Sequence, residues 1–274
     1  MLFKLLTTYT KMISIPNKVP RKKRVFLGPL SRKILKLSNW EITGEFPNYK
    51  KIILIGVPHT ANRDAWYALL AVLALDLKIN FFGARWIFTR LPSPYTFSKD
   101  VDRLGIPWPL GWLQKIILLK LGGIPVYRNK SKGLIKGAIE EFSKMEEYVL
   151  AIAPEAGTEQ VKKFRSGFYY LAKELDIPYL PIELDFKNRR FHVQKEQFVS
   201  MSFEEESKKI ISLFEGVEGA LREFKMLEER EQKDKAYNFL REFFLILTSL
   251  FQHQLTIRLQ FLQSSQIFVV QYLY

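Results

Sequence analysis

The chain has 274 residues, no cysteine and a formal net charge of +14. Lack of cysteine excludes disulfides, zinc–thiolate sites and a thiol nucleophile, and suits a reducing, cytosolic setting. The excess of cations points to a polyanionic partner, whether nucleic acid, an anionic membrane surface or a phosphorylated substrate. No RNP-like, zinc-finger or basic-zipper signature accompanies that charge. The length suits one α/β domain with additions. No stretch reaches the roughly 18 uninterrupted apolar residues of a transmembrane helix, and Met1-Leu2-Phe3-Lys4-Leu5-Leu6 is too short and interrupted for a signal peptide.

Residues 1–38 form a basic amphipathic arm, with Leu30, Ile34 and Leu37 at helical spacing among Arg21, Lys22, Lys23, Arg24, Arg32, Lys33 and Lys36. It reads either as a docking element for anionic headgroups or as a solvated arm. Trp40 to Phe46 predicts a strand. The apolar run Ile52-Ile53-Leu54-Ile55 predicts a buried strand that stops at Gly56 and Pro58. Trp66, Leu69, Leu70, Leu73 and Leu77 then line one face of a helix, with Asn62 placed as its cap and Asp64 in its first turn. His59 thus stands at a strand exit, with Asp64 facing it across a turn. A carboxylate beside an imidazole fixes its tautomer and favours its protonated form, as a general base requires. The same pair also reads as a buried histidine beside a capping aspartate.

Ile79 to Phe82 predicts a strand. Residues 84–109, rich in proline and aromatics, predict an irregular loop that lines or covers a ligand pocket, dips into a membrane interface or packs on the surface. Gly111 to Leu121 predicts a helix with Leu113, Ile117 and Leu121 on one side, ended by Gly122-Gly123. Ile124 to Tyr127 predicts a strand delivering Arg128, a planar fork of donors suited to phosphate. A helix over Lys132–Met145 and a buried strand over Tyr148–Ala153 lead to Pro154-Glu155, again at a strand end, where open α/β sheets bind ligands. Next come a helix over Ser166–Leu175, a strand over Ile177–Leu184, and an edge hairpin or meander over Phe186–Val199 turning at Lys187-Asn188. His192 there reads as structural. Ser202 caps a last helix, and residues 223–274 form an extension, first charged and helical, then apolar without clear period.

Four blocks stand in order: His-Thr-Ala-Asn-Arg-Asp at 59–64, Gly-Gly-Ile-Pro-Val-Tyr-Arg at 122–128, Ala-Pro-Glu-Ala-Gly-Thr at 153–158 and Leu-Pro-Ile-Glu at 180–183. Together they resemble the PlsC-like glycerolipid acyltransferases (1-acylglycerol-3-phosphate acyltransferase family), compact bacterial type, over roughly residues 35–222. The resemblance implies a single acyltransferase domain over 39–222, with a mixed β-sheet flanked by helices. It implies transfer of a fatty acyl chain from acyl-CoA or acyl carrier protein to the hydroxyl of a lysophospholipid, at a peripheral, cytoplasmic membrane face. His59 and Asp64 would be catalytic. Arg128 and the loop Glu155, Ala156, Gly157 and Thr158 would position the acceptor, and Pro181 would lie near the donor site. No covalent intermediate, metal or cofactor is implied, and donors near 59–62 or in the third block would hold the oxyanion.

The third block departs from the family's Pro-Glu-Gly-Thr-Arg. The run Phe164-Arg165-Ser166-Gly167-Phe168-Tyr169, similar to the family's Trp-Lys-Thr-Gly-Phe-Tyr, favours an ungapped alignment that puts Thr158 in place of the arginine. Lys162, Lys163 or Arg165 could restore the charge. Otherwise the acceptor is a lysolipid with another headgroup, or the chain is a membrane-surface lipid-binding protein on a degenerate scaffold.

Overall fold

The computed structural model describes residues 12–93, 100, 102–127 and 133–227. It comprises a mixed α/β unit over Met1–Met226; Leu227–Tyr274 form a second unit. In chain order the elements are α1 (Leu27–Leu37), β1 (Glu41–Gly44), β2 (Lys51–Val57), α2 (Asn62–Ala74), β3 (Ile79–Ala84), β4 (Arg90–Leu91) and β5 (Ile106–Pro107). They continue with α3 (Gly111–Lys120), β6 (Gly123–Val126), α4 (Leu134–Ser143), β7 (Tyr148–Ile152), α5 (Gly167–Leu175), β8 (Tyr179–Asp185), β9 (Arg190–Val193) and α6 (Phe203–Leu213).

Seven strands form one sheet in the order β1-β9-β8-β2-β7-β3-β6. Strands β8, β2, β7, β3 and β6 run parallel. β9 is antiparallel to β8 and parallel to β1, so the sheet is mixed. Side chains alternate across a strand, and β2 therefore feeds two cores. Ile52 and Leu54 join Trp40, Leu70, Val149 and Leu180 on one face. Ile53, Ile55 and Val57 join Leu150, Phe164, Phe168, Tyr179 and Phe214 on the other. Burial of both faces is why this strand reads as an unbroken apolar run.

Several expectations need correction. The Phe186–Val199 segment is not a sheet edge: β9 lies between β8 and β1. Its His192 is structural, with Nδ1 2.9 Å from Thr43 Oγ1. The segment 84–109 is not wholly irregular, since a 3₁₀ turn (Arg85–Phe88) precedes the antiparallel pair β4–β5. α2 ends at Ala74, so Leu77 is buried from the following turn, and Trp66 is exposed. From residue 12 onward the basic arm is anchored: Ile15, Val19 and Leu35 are buried in the first core, and the Arg24 backbone N–H donates to Asp76 at 3.0 Å. Among the described residues no helix is long and apolar enough to cross a membrane.

Candidate active site

β2 ends at Val57, a cis Val57–Pro58 peptide follows, and His59 emerges at the carboxyl end of the parallel strands. Its side chain is 24% exposed, while Asp64 is fully buried. One oxygen, Asp64 Oδ2, lies 3.5 Å from His59 Nδ1. The same oxygen accepts from the backbone N–H of Ala61 at 2.7 Å and from that of Thr60. Asp64 is therefore both the partner of the imidazole and the group that satisfies the free donors at the start of α2. The expected cap, Asn62, is instead the first helical residue, with Ala61 in the N-cap position. A carboxylate from the third helical residue performs the work, because alanine has no side-chain acceptor.

Glu155 reaches the same histidine from the loop after β7. Its Oε2 accepts from the His59 backbone N–H at 3.0 Å. Its other oxygen is buried and has no hydrogen-bond partner within the described residues. Burial raises the Glu155 pKa to about 7, against the His59 N–H bond and the charges of His59 and Arg222, while nearby Asp64 pushes the same way as burial. One carboxylate thus faces the ring of His59, and a second holds its backbone.

A third segment closes the site, and sequence reasoning missed it. Thr60 is buried; its hydroxyl oxygen lies 3.4 Å from Asp64 Oδ2 and accepts from the Leu221 N–H at 3.1 Å. Arg63 donates to the Ala220 carbonyl. A Cβ at Gly219 would stand 2.6 Å from Thr60 Cγ2, so only glycine permits this approach. Arg222 donates to the Thr158 carbonyl at 2.7 Å and, with Pro58, Thr60, Glu155 and Phe224, lines a narrow cleft. A guanidinium therefore stands at the loop from Glu155 to Thr158, supplied from the turn after α6. Lys162 and Lys163 line a different groove, described below. The sequence signals for the closing segment are a glycine and an arginine between Val217 and Phe224.

The oxyanion donors expected near 59–62 are largely taken: the N–H groups of His59, Thr60 and Ala61 are bound to Glu155 and Asp64. In the third-block loop, Ala156 N–H is bound to the Ala153 carbonyl at 3.0 Å, whereas those of Gly157 and Thr158 make no backbone hydrogen bond within the described residues. Pro181 lies midway along β8 opposite Ile55, inside the sheet, and is not brought to His59. Arg128 lies outside the described residues. Among the described residues no group of three or more His, Asp or Glu side chains is arranged to hold a metal.

No protein-family profile matches the chain, and no curated protein does. Among solved structures it is similar to the 1-acyl-sn-glycerophosphate (LPA) acyltransferase PlsC from Thermotoga maritima, with a TM-score of 0.44 and 13% identity. The alignment covers 68% of this chain and 74% of that one. At this level the likeness carries nothing about the chemistry, which rests on the geometry above.

Proposed function

We propose that the chain is an O-acyltransferase moving a fatty acyl group from a thioester, acyl-CoA or acyl carrier protein, to the hydroxyl of a lysophospholipid such as 1-acylglycerol-3-phosphate. The observation that carries this reading is the partly exposed His59 imidazole with the sealed Asp64 carboxylate 3.5 Å from its Nδ1, at the carboxyl end of the parallel strands. Asp64 on Nδ1 leaves Nε2 to take the proton of the acceptor hydroxyl as its oxygen attacks the thioester carbonyl. The carbon–sulfur bond then breaks and the thiol leaves with a proton. The N–H groups of Gly157 and Thr158 are the available donors for the transient oxyanion. Arg222, joined by Arg128 as the resemblance implies, supplies charge for an acceptor phosphate.

A lysolipid acceptor calls for a membrane surface, and two features fit that need. α3 leaves Trp112, Leu113, Ile116, Ile117 and Leu119 exposed beside Lys115 and Lys120. α1 and the turn before it expose Val25, Phe26 and Leu30 among arginines and lysines. Apolar side chains flanked by cations suit an anionic bilayer interface.

The test is a panel of purified protein with acyl-CoA or acyl carrier protein as donor, and lysophosphatidic acid or non-phosphate lysolipids as acceptor, beside His59→Ala. Acylation of lysophosphatidic acid that drops by at least about a hundredfold in His59→Ala is expected. Acylation of other lysolipids alone would redirect the acceptor assignment. No product from any pair by folded protein would overturn the reaction in favour of a membrane-surface lipid-binding protein.

A further inference from the structure

A groove of about 760 Å³ lies between α5 and α6, within the size range of small-ligand sites. Lys162 and Lys163 enter it from the loop that begins at Glu155, Lys173 from α5 and Lys208 from α6. Glu204 is the acidic residue that lines it. None of these four lysines has a carboxylate within ion-pair distance among the described residues. Lys173 sits instead over the Tyr169 ring, 5.6 Å from its centroid, and Lys208 acts on Glu205 only at longer range.

Two further observations point to a ligand. Ser207 is 92% buried, lines the groove, and its hydroxyl has no hydrogen-bond partner. A helical serine ordinarily bonds back to a carbonyl of the preceding turn, so this buried hydroxyl is left unpartnered in the groove wall. Ser166, the N-cap of α5, also lines the groove and makes no capping bond. The positive end of α5 is thus left to an acceptor from elsewhere. At α6, by contrast, Ser202 and Glu205 satisfy each other. Tyr170 is 46% exposed, 5.3 Å from Tyr169 centroid to centroid, and offers a ring face at the rim.

We propose that this groove binds the nucleotide end of the acyl donor, its phosphates held by the lysines and the start of α5, and its base by Tyr170. The identity of the ligand rests on the acyl-transfer reading; the binding of a phosphorylated, base-bearing anion does not. It selects a coenzyme A thioester over a carrier protein, because the prosthetic group of a carrier has a phosphate and no base. The groove shares its loop with Glu155, which holds the His59 backbone, so a donor seated here adjoins the catalytic loop.

The test is titration of the full-length protein with adenosine bisphosphate, the nucleotide part of coenzyme A, and with pyrophosphate, at low and moderate salt. Lys163→Glu with Lys208→Glu is expected to weaken adenosine bisphosphate at least about tenfold and to flatten its salt dependence. Tyr170→Ala is expected to weaken adenosine bisphosphate about threefold or more while leaving pyrophosphate unchanged. No binding to the wild type at millimolar concentration, or equal binding by the double lysine variant, would overturn the site. Equal affinity for pyrophosphate with a neutral Tyr170→Ala would overturn the nucleotide assignment. Acyl-CoA turnover separates this proposal from the reaction itself. Turnover that depends on His59 but is unchanged in the double lysine variant removes the groove and keeps the reaction. Groove-dependent nucleotide binding without turnover on any acceptor removes the reaction and keeps the groove.

Discussion

The loop after β2 and the loop after β7 meet at His59 but are held in different ways. The first is closed from within: Asp64, five residues beyond His59, binds the N–H groups of Thr60 and Ala61 and faces the imidazole. The second is held mainly from outside, by Glu155 on the His59 backbone and by Arg222 on the Thr158 carbonyl. It also contains a left-handed alanine, Ala156 at φ 55. The difference separates two duties that loops at a candidate active site can have. A loop that carries the reacting group gains from internal hydrogen bonds that fix one geometry. A loop that borders substrate gains from leaving N–H groups and a carboxyl oxygen unspent.

Substitutions at Asp64 and His59 break the first loop in separable ways and carry the largest expected effect. Asp64→Ala orphans two backbone donors in a buried setting and removes the partner of the imidazole. It should cost about 2–4 kcal/mol of stability as well as turnover. His59→Ala should abolish turnover while changing stability by less than about 1 kcal/mol, because the ring is partly exposed. Urea unfolding of both variants beside the activity assay checks this. Equal destabilisation by the two would mean that the ring, not the carboxylate, organises the loop.

The second loop is sharpened by pH. Glu155 has its carboxyl pKa raised by burial from 4.5 to about 7. The folded state therefore holds this proton more tightly than the unfolded chain does, so the unfolded chain binds fewer protons between the two values. Stability falls as pH rises from about 4.5 through 7 and stays lowered above that; below 4.5 the group contributes nothing. Glu155→Gln keeps an acceptor for the His59 N–H and cannot ionise. It should gain on the order of 2–3 kcal/mol over the wild type at alkaline pH and nothing at acid pH. Thermal or urea midpoints of both proteins across that range test it, and a constant difference at every pH would refute the burial of a titrating carboxyl.

These contrasts also explain what could be read from the chain. His59 and Asp64 lie within one short run between an apolar strand and an amphipathic helix, so local spacing reveals their meeting. Glu155 is legible as a residue just past a second buried strand. Arg222 and the Thr60–Leu221 bond, 161 residues apart in sequence, carry no local pattern. The same holds for the parallel pairing of Glu41 with Arg190, which turns an apparent edge hairpin into an interior strand. For α3 the spacing of Leu113 and Ile117 defines a helix correctly, but periodicity is the same for a packed face and an open one, and here the face is open. Asn62 is a good capping residue by type, yet the helix already begins at Asn62; the cap position falls to Ala61, and the free donors draw on Asp64.

The smallest expected effect lies at Ala156 and bears on the alignment of the third block. A left-handed backbone costs a residue with a Cβ roughly 1–2 kcal/mol and costs glycine little. Part of that gain is offset by the greater freedom of glycine in the unfolded chain. Ala156→Gly should therefore stabilise the protein by about 0.5–1 kcal/mol, read as a shift of the urea midpoint with unchanged slope. The left-handed position is 156, where the ungapped alignment puts the family's glycine, and Gly157 does not share that conformation. Ala156 is exposed and its side chain is not part of the cleft, so turnover should stay within about twofold. A loss of stability would mean that residue 156 is not held in the left-handed region, and would return the alignment in which Ala156 is an insertion and Gly157 the family's glycine.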